Sequence, residues 1–194
     1  MEKSRAEDIL KQSDALLIGH FLLTSGRHSD RYIQCAKVLQ RPEFTSELMQ
    51  SLAKEFESDG IGIVIGPAMG GIIIAYEAAR HLGAKSLFAE RENGRMALRR
   101  GFSISRGASV LVAEDVVTTG GTVREVMELV RASGGNVAGV CALVDRSMGA
   151  VDFGVKFAAA YTADVKSWDA ADCPLCKEGV PAVKPGSRNI ARGL

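Results

Sequence analysis

Four apolar residues, Val110, Leu111, Val112 and Ala113, run into an adjacent acid pair, Glu114 and Asp115. The chain then passes through Val116, Val117, Thr118, Thr119, Gly120, Gly121 and Thr122 into a helical apolar period over residues 123–132. A short apolar run that ends in polar residues and feeds a helix reads as buried strand, loop and helix N-terminus. A strand buried on both faces, with a helix returning over it, belongs to a parallel α/β sheet. The polar residues then fall at the carboxyl end of the strand, where such sheets bind ligands.

A helix start leaves backbone N–H groups without partners, and together with the helix dipole they favour an anion. Gly120 and Gly121 let the backbone approach a phosphate, and Thr118, Thr119 and Thr122 add hydroxyl donors. Two carboxylates beside a bound phosphate would repel it unless they face hydroxyl groups or a divalent cation. A phosphorylated sugar with free vicinal hydroxyls meets both demands. The plainer alternative is a turn with a capping threonine and two solvated acids. No Gly-Lys-Ser/Thr follows the loop and no Gly-x-Gly-x-x-Gly is present, so neither a Walker loop nor a dinucleotide fingerprint is expected.

The stretch 110–122 closely resembles the phosphoribosyl-pyrophosphate signature of the type I phosphoribosyltransferases. The resemblance implies that Glu114 and Asp115 hold the ribose hydroxyls and that Val116, Val117, Thr118, Thr119, Gly120, Gly121 and Thr122 wrap the 5-phosphate. It also implies magnesium as the cofactor.

Upstream, residues 1–18 carry an amphipathic helical pattern with Ser4 as candidate cap, and residues 19–33 read as a hairpin turned at Ser25-Gly26. Phe21, Leu23, Ser25, Gly26, Arg27, Ser29 and Tyr32 match Phe-x-Leu-x-Ser-Gly-Arg-x-Ser-x-x-Tyr. That pattern resembles the N-terminal hood of the orotate branch of the family; a polar hairpin with a solvated arginine is the alternative. Thr24 stands where many bacterial relatives have lysine.

Residues 43–60 show a helical apolar face, 61–66 a buried strand, and 72–82 a second helix. The intervening Gly66-Pro67-Ala68-Met69-Gly70-Gly71 resembles the family's pyrophosphate loop, with Met69 and Gly70 where better known bacterial orotate enzymes have tyrosine and lysine. Residues 84–89 read as a strand. Residues 90–101, charged and weakly periodic, read as a flexible loop. In the family the corresponding loop closes over pyrophosphate, which makes Arg91 and Arg95 the chosen cations, ahead of Arg99 and Arg100. A solvated charged loop is the alternative. Residues 136–144 read as a strand ending in Asp145-Arg146, and the resemblance places Arg146, with Thr118, against the carboxylate of the base. A guanidinium fork suits that anion, whereas a local Asp145–Arg146 surface pair would be inert.

The order strand, helix, strand, loop, strand, helix, strand over residues 61–161 predicts an α/β fold with a right-handed, mainly parallel central sheet flanked by helices. One domain is expected over 1–194, with helix and hood in 1–40, core in 41–165 and an extension in 166–194. A net charge of +1 offers no general attraction to nucleic acid or membrane. No secretory signal or spanning segment is visible and four cysteines suit a reducing compartment, so a soluble cytoplasmic protein is expected. Cys173-Pro174-Leu175-Cys176 has zinc-ligand spacing, but only one such pair exists and His20, His28 and His81 are scattered along the sequence. Buried or free thiols are therefore expected, with no protein metal site assigned.

The resemblance, covering roughly residues 21–149, implies transfer of 5-phosphoribosyl from phosphoribosyl pyrophosphate to orotate. Glu114, Asp115 and Arg95 would carry catalysis, in a chain that works as a homodimer without nucleic acid or membrane partners.

Overall fold

The computed structural model describes residues 3–23 and 25–185, so Thr24 lies outside it, as does the side chain of Ser4. In chain order the elements begin with α1 (Lys3–Gln12), β1 (Leu16–Leu22), β2 (His28–Ile33), α2 (Ala36–Leu39), α3 (Pro42–Lys54), β3 (Ile63–Pro67) and α4 (Gly70–Leu82). They continue with β4 (Lys85–Glu92), β5 (Arg95–Leu98), β6 (Ser109–Val117), α5 (Gly121–Ala132), β7 (Asn136–Asp145), β8 (Lys156–Thr162), β9 (Ser167–Trp168) and α6 (Pro174–Lys177).

The central sheet has six strands in the order β5-β4-β3-β6-β7-β8. Every neighbouring pair is parallel except β4 with β5. Strand side chains alternate between faces, and the core sorts accordingly. Val64, Leu111, Ala113, Cys141 and Leu143 pack with α1, α3 and α4, whereas Ile63, Ile65, Val110, Val112, Val140 and Ala142 pack with α5. Both faces are covered, which is why these strands read as unbroken apolar runs rather than alternating ones. On α5 the buried stripe is Val123, Val126, Met127 and Val130, the spacing of one helical face. Each such burial contributes about 1.5–3 kcal/mol.

A second, three-stranded sheet, β1-β2-β9, forms the hood. The N-terminal helix is shorter than its apolar pattern: it stops at Gln12, Asp14 takes a left-handed φ of 54°, and Leu16 and Leu17 enter β1 instead. The helical reading of 43–60 likewise ends early, because α3 stops at Lys54 and residues 57–59 form a separate 3-10 turn.

The charged segment 90–101 is a hairpin for most of its length, not a loop. β4 runs on to Glu92 and pairs antiparallel with β5 across Asn93-Gly94. Both turn residues are left-handed, at φ 51° and 81°, as a two-residue hairpin turn demands.

Candidate active site

β6 is longer than its apolar run, so the acid pair sits inside the strand's last turn of pleat rather than in a loop. Glu114 is 7% exposed, and its Oε1 accepts the Asp115 backbone N–H at 3.0 Å. Asp115 Oδ1 accepts the Val116 N–H at 2.8 Å. Burial, reinforced by the neighbouring Asp115 carboxylate, pushes Glu114 up to about 8. This pair faces a cleft of about 300 Å³ whose other wall is Pro67, Ala68, Met69 and Gly70. The two strand-end loops singled out in the sequence therefore share one cleft. A Cβ on Gly70 would meet the Asp115 carboxylate, so any larger residue here requires that side chain to move.

Beyond the acids, residues 116–123 and Glu114 line a small depression of about 50 Å³ at the start of α5. Gly120 caps that helix at φ 75°, and a Cβ there would meet Phe153 and Val151 at 2.8 and 2.9 Å. Only glycine satisfies both the conformation and the packing. Thr118 and Thr119 are exposed and also border a cavity of about 590 Å³, roofed by Leu22, Leu23, Tyr32 and Ile33 of the hood region. The hairpin of the N-terminal segment thus lies over the strand ends.

Arg146 lines the same cavity. Its backbone N–H is fixed by the Val117 carbonyl at 2.8 Å, while its Nε is buried without a hydrogen-bond partner. The expected rival role, an Asp145–Arg146 pair, is not formed. Asp145 is 3% exposed and accepts instead from the Ser147 N–H at 2.7 Å, the Ser147 hydroxyl at 2.6 Å and the Gly149 N–H at 3.1 Å. An unpaired guanidinium N–H in a cavity wall is costly unless a ligand completes it.

The hairpin arginines are mostly occupied. Arg91 reaches Glu125 of α5 at 2.8 Å, Arg99 reaches Glu92 at 3.5 Å, and Arg100 holds Glu90 through two 3.0 Å bonds. Arg95, exposed near the turn, makes no ion pair among the described residues. Arg27 is not among the residues lining the cavity beside Arg146; it fastens the β1–β2 hairpin to β9 and the residue after it through Ser167 Oγ at 3.1 Å, Ser167 O at 2.7 Å and Asp169 at 2.9 Å. Burial raises the thiols of Cys35 and Cys141, the latter to about 12, so neither is a nucleophile at neutral pH.

Residues 35–156 match the family described as phosphoribosyl transferase domain. The orotate phosphoribosyltransferase of Pelotomaculum thermopropionicum is 62% identical over 190 residues, covering 98% of this chain and all of the relative. That of Thermotoga maritima is 52% identical over 184 residues, covering 95% and 98%. Among solved structures, orotate phosphoribosyltransferase from Aeropyrum pernix superposes with a TM-score of 0.69 at 30% identity, over 80% of this chain and 92% of that one. With the 67–70 and 116–122 loops and the hood gathered at one end of one mainly parallel sheet, and with relatives this similar along nearly its whole length, the chain belongs to the phosphoribosyltransferase family, in its orotate branch.

Proposed function

We propose that this chain catalyses phosphoribosyl transfer from phosphoribosyl pyrophosphate to N1 of orotate, giving orotidine 5-phosphate and pyrophosphate for pyrimidine nucleotide synthesis. Among the features of the site, the buried, unpartnered Arg146 Nε in the cavity beside Thr118 and Thr119 carries the choice of an acidic base. The 5-phosphate takes the α5 N-terminus and the 116–122 loop, which line one small depression and can offer backbone amides and threonine hydroxyls. Glu114 and Asp115 take the ribose hydroxyls and steady a sugar that gains positive charge as pyrophosphate departs. The protonated state favoured by Glu114 gives way to a carboxylate when hydroxyl donors or a cation arrive.

Magnesium fits this donor set, since it binds through one or two carboxylates together with substrate oxygens, and Asp115 fronts the 67–70 loop across an open cleft. When bound with the pyrophosphoryl group it neutralises leaving-group charge. Arg95 and Arg91 supply further positive charge from the β4–β5 hairpin. The proposed role in nucleotide synthesis supports a cytoplasmic location, and the exposed Arg95 on that hairpin supports a homodimer in which it reaches a neighbouring subunit's site.

The test supplies purified protein with magnesium, phosphoribosyl pyrophosphate and either orotate or a purine base, following base consumption and pyrophosphate release. Turnover with orotate alone is expected. Turnover with a purine, or tight phosphoribosyl-pyrophosphate binding without turnover, would overturn the proposal.

A further inference from the structure

Of the residues from Lys166 to Pro185, only Cys173 is buried. This segment nevertheless follows a defined path: β9 pairs with His28 and Ser29 of β2, α6 is a single turn, and Val183 rejoins β1. The Leu22 N–H donates to the Val183 carbonyl at 2.9 Å, and the Val183 N–H donates to the His20 carbonyl at 2.8 Å. A few backbone bonds without a core are weak anchorage, and small coreless segments are commonly held by a disulfide or a metal.

Between the hood and this segment four side chains converge. His20 and His28 lie on neighbouring strands, and register pairs His28 with Leu22, which makes His20 its diagonal neighbour on one face. Facing them, α6 and the residue before it present Cys176 and Cys173. The ligand atoms of His20, His28, Cys173 and Cys176 all lie within 4.8 Å of one another. Sulfur to nitrogen distances are 3.4 Å from Cys173 to His20, 3.8 Å from Cys176 to His20 and 3.3 Å from Cys176 to His28. Four ligands at ordinary Zn–S and Zn–N lengths in a tetrahedron would be separated by roughly 3.6 Å for each sulfur–nitrogen edge. The two imidazole nitrogens, 2.6 Å apart, would move apart by under about 1 Å to admit the ion.

The tautomer of His20 is fixed for this task. Its Nδ1 lies 2.6 Å from the Val180 carbonyl, which can only accept, so Nδ1 carries the hydrogen and Nε2 of the neutral ring presents its lone pair inward. Toward that one lone pair point His28 Nδ1, Cys173 Sγ and Cys176 Sγ. Three neighbours crowding one acceptor is poor hydrogen bonding and good coordination. Cys173 is buried and Cys176 exposed, which gives the ion an entry side.

We propose that His20 Nε2, His28 Nδ1, Cys173 Sγ and Cys176 Sγ bind one zinc ion in a closed tetrahedral Cys₂His₂ site that fastens the C-terminal segment to the hood. Two thiolates with two imidazoles select zinc over the hard cations that suit carboxylates, so this site is chemically separate from the magnesium at Asp115. With no open position, its role is structural: it sets the wall of the large cavity formed by Ser167, Lys184 and Pro185 opposite Leu22 and Tyr32.

The test measures metal content of the full chain purified without chelator, then replaces zinc by cobalt(II). About one zinc per chain is expected. Cobalt should give the intense visible bands of a tetrahedral ion and thiolate-to-cobalt charge transfer. Cys173→Ser and His28→Ala should each lower zinc affinity roughly tenfold or more, whereas His81→Ala and Cys141→Ala should leave it unchanged. Wild-type protein without bound zinc, an octahedral cobalt spectrum, or a Cys173–Cys176 disulfide would overturn the proposal. The wild-type readings need no variant to fold, and none depends on turnover.

Discussion

Replacing Arg146 by alanine separates base recognition from everything else the site does. The guanidinium is half-buried, its Nε has no partner, and it borders the cavity shared with Thr118 and Thr119. A carboxylate seated against it gains charge-assisted hydrogen bonds of about 1.5–3 kcal/mol each. Loss of two costs about 3–6 kcal/mol, which at 1.4 kcal/mol per decade is a rise in KM for orotate of roughly 10²- to 10⁴-fold. Phosphoribosyl-pyrophosphate affinity, measured by calorimetry in magnesium, should change by less than about threefold, because that substrate is held by other elements. Folding should not suffer: Asp145 is satisfied by Ser147 and Gly149, and removing a buried, unpaired N–H costs little. Steady-state kinetics in both substrates and a thermal melt test all three expectations. Equal loss of affinity for the two substrates, or unchanged orotate KM, would refute the assignment.

Three other perturbations reach different parts of the site. Glu114 has its folded pKa raised to about 8 by burial and by Asp115, so its stabilising protonated form is complete below the ordinary carboxylate range and is lost as pH rises through about 8. The ligand-free protein should therefore melt at lower temperature as pH climbs from 5 to about 8, and Glu114→Gln should flatten that decline; parallel curves would remove the carboxyl from the explanation. Gly120→Ala forces a left-handed alanine into Phe153, and a loss of about 2 kcal/mol or more by denaturant titration is expected, against none if the loop simply shifts. Arg95→Ala should leave the melt unchanged, since that side chain has no ion pair among the described residues, yet lower kcat roughly tenfold or more; unchanged kcat would pass the role to another arginine.

The parallel core was legible because each of its strands is a short apolar run closed by polar or glycine-rich residues, and two-sided burial leaves little else for such runs to be. Glu114, Asp115 and the 116–122 loop were legible for the same reason, since the end of a run marks the end of a strand. Asn93-Gly94 carried a hairpin signal that the surrounding arginines and glutamates obscured, and the segment read as a loop although its flanks pair. Leu16 and Leu17 fit a helical period and were lost to a strand, because pairing with Tyr32 and Ile33 outweighs local preference. The convergence of His20, His28, Cys173 and Cys176 could not be read at all. It depends on which strand edge receives a segment 148 to 156 residues away, and no local pattern encodes that.

The way the hood is closed makes the two proposed substrate sites draw differently on the chain. The residues proposed to hold the sugar phosphate lie in one continuous stretch, from the 67–70 loop to the start of α5. The cavity proposed for the base is walled by the first hairpin and by Lys184 and Pro185, which flank that stretch from far apart in the sequence. On the proposed assignment, the sugar phosphate is held by one run of the chain, whereas base selectivity needs two segments far apart in sequence to meet.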